Sequence, residues 1–243
     1  MLTRLTPRFV PKVWGSTHLE PWYPNASEKI GEVWFEGAAY LPLLIKFLYT
    51  TEPLSVQVHP EGKTEMWHIL AAEPGAKIAA GFREPITAER LRASALSGEI
   101  EELLEWHEAR PGDTFFIPAG TVHAIGAGLA LCEIQQWSDV TYRLFDYGRA
   151  RELHLDEGVR VSRLGPHAAR QSAREGMLVS CPFFTTQKLR VAGTVACKAK
   201  MIPVLEGSLE IDGQPAKAGE VWYSDAENVA LELRGQGTVL LAS

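Results

Sequence analysis

The sequence predicts a mainly β fold, a sandwich or barrel that carries a few short helices. The first observation is a run of short apolar or alternating segments bounded by Gly and Pro, which is typical of such folds. These segments are 43–49, 54–59, 66–71, 114–118, 129–136, 198–205, 208–211, 221–224 and 229–233. The second observation is the composition of the 243 residues, 46% hydrophobic and 22% charged, which indicates an ordinary folded protein and argues against a disordered or fibrous chain.

One segment departs from the β pattern and predicts helix. Apolar residues recur at roughly helical spacing through residues 87–107, and Gly98 is expected to divide the segment into two short helices. A second helical piece is expected within 152–163. Nothing in these helices indicates chemistry, so we expect them to pack on a sheet.

The predicted organisation is two β units joined by a linker. Between residues 161 and 175 the sequence becomes polar and rich in small residues. We therefore expect a catalytic unit at 1–163, with the helical insertion at about 87–107, and a C-terminal β unit at 175–243.

The net charge and the cysteine content limit which partners the protein can bind and in which cellular compartment we expect it. A formal net charge of −6 gives no reason to attract nucleic acid, although it leaves a small anionic substrate open. Cys132, Cys181 and Cys197 are an odd number without CxxC spacing, which favours a reducing compartment. Residues 1–12 contain no apolar run, and no stretch of about 18 apolar residues exists. We expect a cytoplasmic protein without a membrane partner, and the sequence does not indicate its oligomeric state.

The segment 54–59 carries the first candidate site. Leu54, Val56 and Val58 alternate with Ser55, Gln57 and His59, so a strand places the three polar side chains on one face. Such a face usually meets water, and the neighbouring sequence decides whether it does here.

That neighbouring sequence adds a carboxylate and a second imidazole. A tight turn at 60–62 leads into a strand on which Lys63 and Glu65 share a face, and His123 follows a Pro-x-Gly turn that ends an aromatic strand. Two imidazoles, one carboxylate and the amide oxygen of Gln57 form a plausible site for zinc or a related divalent metal, with one or two positions left for water or substrate.

These segments resemble a known family. Residues 112–123 follow the second cupin motif, G-x5-P-x-G-x2-H, and residues 57–65 resemble the first cupin motif with its leading His replaced by Gln, as in type I mannose-6-phosphate isomerases. Four further stretches, 11–15, 30–34, 43–48 and 133–147, are similar to the same family and lie in the family's order. The chain thus resembles a short bacterial form of that family.

The resemblance implies a fold and a set of site residues. The fold is a cupin barrel, a double-stranded β-helix or jelly roll, followed by a second, degenerate cupin-like β domain that braces the first. By resemblance the metal ligands are Gln57, His59, Glu65 and His123. The implied phosphate-contacting residues are Ser55 and Lys63, those lining the active site are Lys46, Glu133 and Arg143, and Trp14 lies near the pocket.

The resemblance also implies an activity, the metal-dependent interconversion of mannose 6-phosphate and fructose 6-phosphate through an enediol. One Zn²⁺ per chain is expected, with another divalent metal possible. Glu133 or Lys46 is the proton acceptor if burial tunes its pKa toward neutrality, and a hydroxide held by the metal is a third candidate.

One departure from the family keeps alternatives open. The loop between His59 and Lys63 is shorter than the family's, which predicts a more open pocket mouth. The first alternative is a sugar-phosphate-binding cupin without catalysis. The second alternative is a metal-dependent cupin oxygenase. It is less favoured because Gln57 occupies a position that oxygenases leave to His or water.

Overall fold

The structure is a computed structural model that describes residues 1–37, 40–226 and 229–243. In this part of the chain the strands are β1 Leu2–Arg4, β2 Thr6–Ser16, β3 Ile30–Glu36, β4 Leu43–Thr50, β5 Val56–Val58, β6 Glu65–Ala72, β7 Lys77–Phe82, β8 Leu104–Glu108, β9 Thr114–Ile117, β10 His123–Ile125, β11 Leu129–Gln136, β12 Tyr142–Phe145, β13 Arg170–Gln171, β14 Gly176–Ser180, β15 Thr185–Cys197, β16 Met201–Ile211, β17 Gln214–Lys217, β18 Val221–Ser224 and β19 Leu231–Ala242. The helices are α1 Ala88–Ser97, α2 Ile100–Leu103 and α3 Leu155–Val161. The fold is mainly β, as the sequence predicts.

Two antiparallel sheets form the N-terminal barrel. The seven-stranded barrel sheet has the order β13-β9-β6-β11-β4-β3-β2, and the five-stranded barrel sheet has the order β12-β5-β10-β7-β8. Between them Trp67, Ile69 and Phe115 of the first sheet pack with Ile78 and Ile125 of the second. This apolar layer fixes the two sheets face to face, so polar side chains on their inner faces are held rigidly.

The helices cover the outer face of the five-stranded barrel sheet. Val56 and Val58 of β5 pack there with Leu91, Ile100 and Leu144. The two valines bury the outer side of β5, which leaves the alternating polar residues of the same segment to point inward, as the sequence pattern predicts.

A third sheet, the C-terminal sheet, packs against the barrel. Its order is β1-β18-β16-β19-β15-β14, with β17 paired to β16. Phe47 and Ile134 on the outer face of the seven-stranded barrel sheet share one buried cluster with Phe184, Met201 and other residues of the C-terminal sheet. The first strand, β1, pairs with β18, so Leu2–Arg4 belong to the sheet of the C-terminal unit. The division of the chain at 163 and 175 stays a prediction.

The segment predicted as helical at 87–107 is helical only in part, and the prediction is wrong for its end. Gly98, with φ at 86°, closes α1, and from Leu104 the chain is strand β8, which pairs with β7. Leu104 is buried and Trp106 lies beneath the Lys77 ammonium group, 4.5 Å from the ring centroid. Apolar residues at this spacing fit a strand as well as a helix. The segment from Leu104 forms a strand because its backbone can hydrogen-bond to the free edge of β7. The second predicted helical piece, 152–163, contains α3.

The predicted segments 198–205 and 208–211 fall together in one strand, β16, except for residues 198–200, which precede it. Its pairing with β19 shifts register between Val204 and Glu206. Gly207 lies just beyond this irregularity with φ at 77°, so the glycine that suggests a turn in the sequence lies inside a continuous strand. Among the described residues, no helix is long and apolar enough to span a membrane.

Candidate metal centre and active site

His59, Glu65 and His123 converge inside the barrel at the ends of three strands. Their nearest ligand atoms all lie within 4.8 Å of one another, and all three residues are buried. His59 Nε2 lies 3.4 Å from Glu65 Oε2, and His123 Nε2 lies 3.6 Å from Glu65 Oε1. The chemistry of this donor set, two imidazole nitrogens and a carboxylate, suits zinc or a similar divalent cation.

Glu65 provides a further test of whether a metal fits. Both of its carboxylate oxygens are buried without a hydrogen-bond partner among the described residues. An ionised carboxylate buried without a partner is costly, so such a group requires either a proton or a cation. Burial, with the nearby Glu133 carboxylate, raises the pKa of Glu65 to about 7. The site residues therefore fit a divalent metal.

Carbonyl groups fix the orientation of both imidazoles. His59 Nδ1 donates to the Val140 carbonyl oxygen at 3.1 Å, and His123 Nδ1 donates to the Thr121 carbonyl oxygen at 2.8 Å. Because each Nδ1 carries the proton, each Nε2 presents a lone pair toward Glu65, which is the arrangement of a metal-binding histidine. Burial lowers the pKa of His123 to about 4 and that of His59 well below its usual value, so both rings are neutral near pH 7.

Gln57 stands beside this cluster. Strand β5 pairs with β10 so that Gln57 lies opposite His123. The Gln57 Nε2 atom lies 3.2 Å from His123 Nε2, and the Ser55 hydroxyl donates to Gln57 Oε1 at 3.2 Å. The alternation of β5 thus places Ser55, Gln57 and His59 together on the interior face, as the sequence predicts.

Two glycine-containing turns bring the histidine strands together. The turn at 60–62 uses Gly62 at φ 89°, and the turn before His123 uses Gly120 at φ 84°. Gly120 donates its backbone N–H to the His59 carbonyl oxygen at 2.8 Å, which joins the two turns directly. The left-handed backbone at both positions explains why the turn sequences carry glycine there.

A polar cleft with a cavity volume of about 360 Å³ opens above the cluster. All the remaining predicted site residues line it, namely Trp14, Lys46, Ser55, Lys63, Glu133 and Arg143, together with Gln57 and His59. The cleft also contains residues to which the sequence reasoning assigned no role, namely Lys12, Glu32, Trp34, Asp139 and Arg151. Lys12, Glu32, Trp34 and Asp139 fall inside the family-like stretches and could have been found there. Arg151 follows the last of these stretches and is held by the buried Asp146 carboxylate, with Nε 2.7 Å from Oδ2.

Lys46 and Glu133 form a buried ion pair on one wall. Lys46 Nζ donates to Glu133 Oε1 at 2.8 Å, and both side chains are almost fully buried. Burial acts to raise the pKa of Glu133, but the positive charges of Lys46 and Lys63 outweigh it and lower the value to about 2. Burial acts to lower the pKa of Lys46, and the opposing carboxylates, chiefly Glu133, raise it overall. The pairing thus moves both pKa values away from neutrality.

The other cations approach the cleft from different elements. Lys63 is buried after the 60–62 turn, donates to the Thr141 hydroxyl at 3.1 Å and has its pKa lowered, mainly by burial. Arg143 on β12 lies opposite Gln57 on β5, donates through Nη1 to the Glu152 carbonyl oxygen at 2.7 Å and keeps a buried Nε without a partner among the described residues. Both cations therefore retain donors for an anionic ligand.

Trp14 and His68 are two further buried side chains of the barrel. Trp14 is buried in the layer between the barrel sheets and reaches the cleft wall. His68 lies outside the ligand cluster, and its Nδ1 is 2.9 Å from the Thr114 hydroxyl. Burial lowers the pKa of His68 to about 3.

The chain is similar to known isomerases in sequence. No family model matches it. It is 35% identical over 207 residues to the mannose-6-phosphate isomerase of Streptococcus mutans, and the alignment covers 75% of this chain and 64% of that protein. It is 32% identical over 267 residues to the mannose-6-phosphate isomerase ManA of Bacillus subtilis, and this alignment covers 83% of this chain and 84% of that protein. The chain therefore spans less than two thirds of the first relative's length.

The structure is similar to solved structures over nearly its whole length. It matches the mannose 6-phosphate isomerase of Bacillus subtilis with a TM-score of 0.85 and 27% identity, covering 99% of this chain and 98% of that chain. It matches a variant of the phosphomannose isomerase of Salmonella typhimurium with a TM-score of 0.79 and 17% identity, covering 100% and 99% of the two chains. The second likeness shows the fold alone, and the cupin fold predicted from the sequence is confirmed.

Proposed function

This chain belongs to the mannose-6-phosphate isomerase family, and we propose that it interconverts mannose 6-phosphate and fructose 6-phosphate through an enediol, with one zinc ion per chain. The observation that carries the proposal is the buried Glu65 carboxylate, which lies between two neutral imidazoles, has no hydrogen-bond partner among the described residues and is adjacent to a cleft lined by cations. Catalytic metal sites of this kind supply three or more protein ligands and leave room for substrate.

His59, Glu65 and His123 would hold the metal, and Gln57 would join them with its amide turned so that Oε1, which accepts from Ser55 in this structure, faces the cluster. When bound, a divalent cation polarises the carbonyl and hydroxyl oxygens of the open-chain sugar as a Lewis acid. Zinc is the metal we propose, because imidazole and carboxylate ligands are common in zinc sites and the histidines are neutral near pH 7.

The chain's own cations would hold the substrate at both ends. Lys63 and Ser55 line the cleft and would bind the phosphate of the substrate. Binding at that end would fix the distance between the reacting carbons and the metal ligands. Arg143, with a donor to spare, would stabilise the negative charge that develops on the enediolate oxygens. Trp14 would form part of the wall that contacts the substrate.

The Lys46–Glu133 pair would act mainly through charge. The raised pKa of Lys46 keeps it protonated, and the lowered pKa of Glu133 makes it a weak base near pH 7. We therefore assign Lys46 the binding of a substrate oxygen and Glu133 the task of keeping Lys46 charged and in place.

The test is conversion of mannose 6-phosphate to fructose 6-phosphate by the purified protein, before and after treatment with a chelator and after zinc is restored. We expect activity to disappear with the chelator and to return with zinc. His123→Gln should lower kcat by at least about 100-fold and reduce bound zinc. His68→Gln is the matched control, because this histidine is also buried on a barrel strand but lies outside the ligand cluster.

A folded, zinc-loaded protein that binds mannose 6-phosphate without converting it would contradict the proposal. That result would favour a sugar-phosphate-binding protein without catalysis.

A further inference from the structure

We propose that Trp67 is a positioning residue for the reaction, whose indole N–H fixes the Glu133 carboxylate so that Lys46 presents its one remaining donor to the substrate. The inference rests on the proposed isomerase function. It adds a residue that does not line the cleft and therefore touches no substrate, and it predicts an effect on kcat that core packing alone does not explain.

Three neighbouring strands place the side chains in one row across the seven-stranded barrel sheet. Trp67 on β6 lies opposite Glu133 on β11, and Glu133 lies opposite Lys46 on β4. Trp67 Nε1 donates to Glu133 Oε2 at 3.0 Å, while Lys46 Nζ donates to Glu133 Oε1 at 2.8 Å. Each carboxylate oxygen therefore has its own donor, and the plane of the carboxylate is fixed from both sides.

The hydrogen bonds that Lys46 makes with the described residues leave one of its donors for the cleft. An ammonium group has three N–H donors. One is given to Glu133, and a second is given to Gln135 Oε1 at 2.7 Å. Gln135 is itself held in place because its Nε2 donates to the carbonyl oxygens of Gln136 and Ser138. Lys46 lines the cleft, so the third N–H is the one available to a substrate oxygen.

Trp34 constrains the same ammonium group from another side. Lys46 Nζ lies 4.7 Å from the centroid of the Trp34 ring, and Trp34 is oriented by its own N–H, which donates to Glu32 Oε2. The Lys46 ammonium group is thus placed by two acceptor oxygens and by the Trp34 ring. The direction of its third N–H therefore depends on the Glu133 carboxylate keeping its orientation.

The indole N–H is what prevents the carboxylate from turning. Without it, Glu133 Oε2 is a buried anionic oxygen that lacks a donor, and the nearest cation, Lys46, is the group that would satisfy it. Lys46 would then give two donors to the carboxylate and none to the cleft. The expected loss lies in the chemical step, because the ion pair itself persists.

The first test compares Trp67→Phe with Trp106→Phe. Trp106 is the matched control because its Nε1 also donates one hydrogen bond, to the Glu101 carbonyl oxygen at 2.8 Å, and it lies outside the cleft. We expect Trp67→Phe to lower kcat by at least about tenfold with KM changed by less than about threefold, while Trp106→Phe keeps kcat near that of the wild type. Equal effects in both variants, or a fall in kcat that follows loss of bound zinc, would overturn the inference.

A second variant separates the N–H from packing. Trp67 is fully buried, so its replacement by β-(3-benzothienyl)alanine, an indole isostere in which sulfur replaces N–H, keeps the volume and the fold. The same kcat-specific loss is expected, and wild-type kcat in this variant would refute the positioning role.

A crystal structure of the isostere variant gives a readout that is independent of activity. We expect the Glu133 carboxylate to be rotated, with Lys46 Nζ within hydrogen-bond distance of both oxygens. An unchanged carboxylate would overturn the inference even if the protein had no isomerase activity, whereas an inactive wild-type protein would overturn the proposed function alone.

Discussion

Two buried carboxylates inside the barrel have very different pKa values, and their neighbours explain why. Glu65 packs between the two imidazoles, and burial together with the Glu133 charge raises its pKa to about 7, although Lys63 and Lys46 act to lower it. Glu133 is buried to the same degree, but Lys46 and Lys63 lower its pKa to about 2. Carboxylates whose environments separate their pKa values take different tasks. Glu65 is arranged to receive an added cation, and Glu133 already has one within the chain.

The lowered pKa of Glu133 predicts a pH dependence of stability. A carboxyl with a folded-state pKa below its unfolded value stabilises the fold above the unfolded pKa, and this contribution is lost as the pH falls toward the folded value. Between about pH 5 and pH 2.5, chelator-treated wild-type protein should therefore lose roughly 1 to 3 kcal/mol more unfolding free energy than Glu133→Gln. Urea unfolding at several pH values measures this difference. Parallel curves for the two proteins would contradict the prediction.

At the scale of the elements, the turns before and after the histidine strands are coupled through Gly120. Its φ of 84° is strained for any other residue, and a Cβ at this position would lie 2.9 Å from the Val161 carbonyl oxygen. Its N–H also donates to the His59 carbonyl oxygen. A change at Gly120 therefore disturbs both the packing of the end of α3 and the placement of a metal ligand.

Gly120→Ala should destabilise the fold by roughly 1 to 3 kcal/mol and weaken zinc binding by about tenfold or more. Gly213→Ala is the control, because Gly213 is equally left-handed, at φ 75°, but has open space around it and lies in the β16–β17 hairpin. It should cost about 1 kcal/mol and leave zinc affinity unchanged. Chemical denaturation and zinc titration test both variants, and equal zinc affinities would show that the turn does not position the ligand.

Sequence reasoning succeeds for elements whose pattern is local. The alternation of 54–59 predicted the interior face of β5. Sequence reasoning failed at Leu104, where a short apolar run fits helix and strand alike and the partner strand decides. The row from Trp67 through Glu133 to Lys46 depends on the register of three strands far apart in sequence, which no single segment encodes.

At the scale of the molecule, the barrel and the C-terminal sheet share a buried core. Phe47 and Ile134 of the barrel belong to the same apolar cluster as Phe184 and Met201. A sequence pattern shows that each of these residues is apolar but cannot show that they meet, because the meeting is set by the packing of two distant sheets. The shared cluster indicates that the two parts unfold together.

Phe184→Ala tests this coupling. Phe184 is only 3% exposed, so its truncation should cost about 3 to 5 kcal/mol. The neighbouring Phe183, which is 55% exposed, is the control, and Phe183→Ala should change stability by about 0.5 kcal/mol or less. Unfolding followed by tryptophan fluorescence and by zinc release should give one coincident transition, shifted in Phe184→Ala. Zinc retained after the fluorescence transition would show that the barrel folds independently.

The pairing of β1 with β18 also has a consequence for the order of events during synthesis. The ribosome makes Leu2–Arg4 before their partner Val221–Ser224, which follows roughly 200 residues later. The barrel strands and both histidine turns emerge before that partner exists. Strand β1 therefore has no β18 to pair with until the barrel residues have been synthesised, and it can join the C-terminal sheet only after Val221–Ser224 have been made.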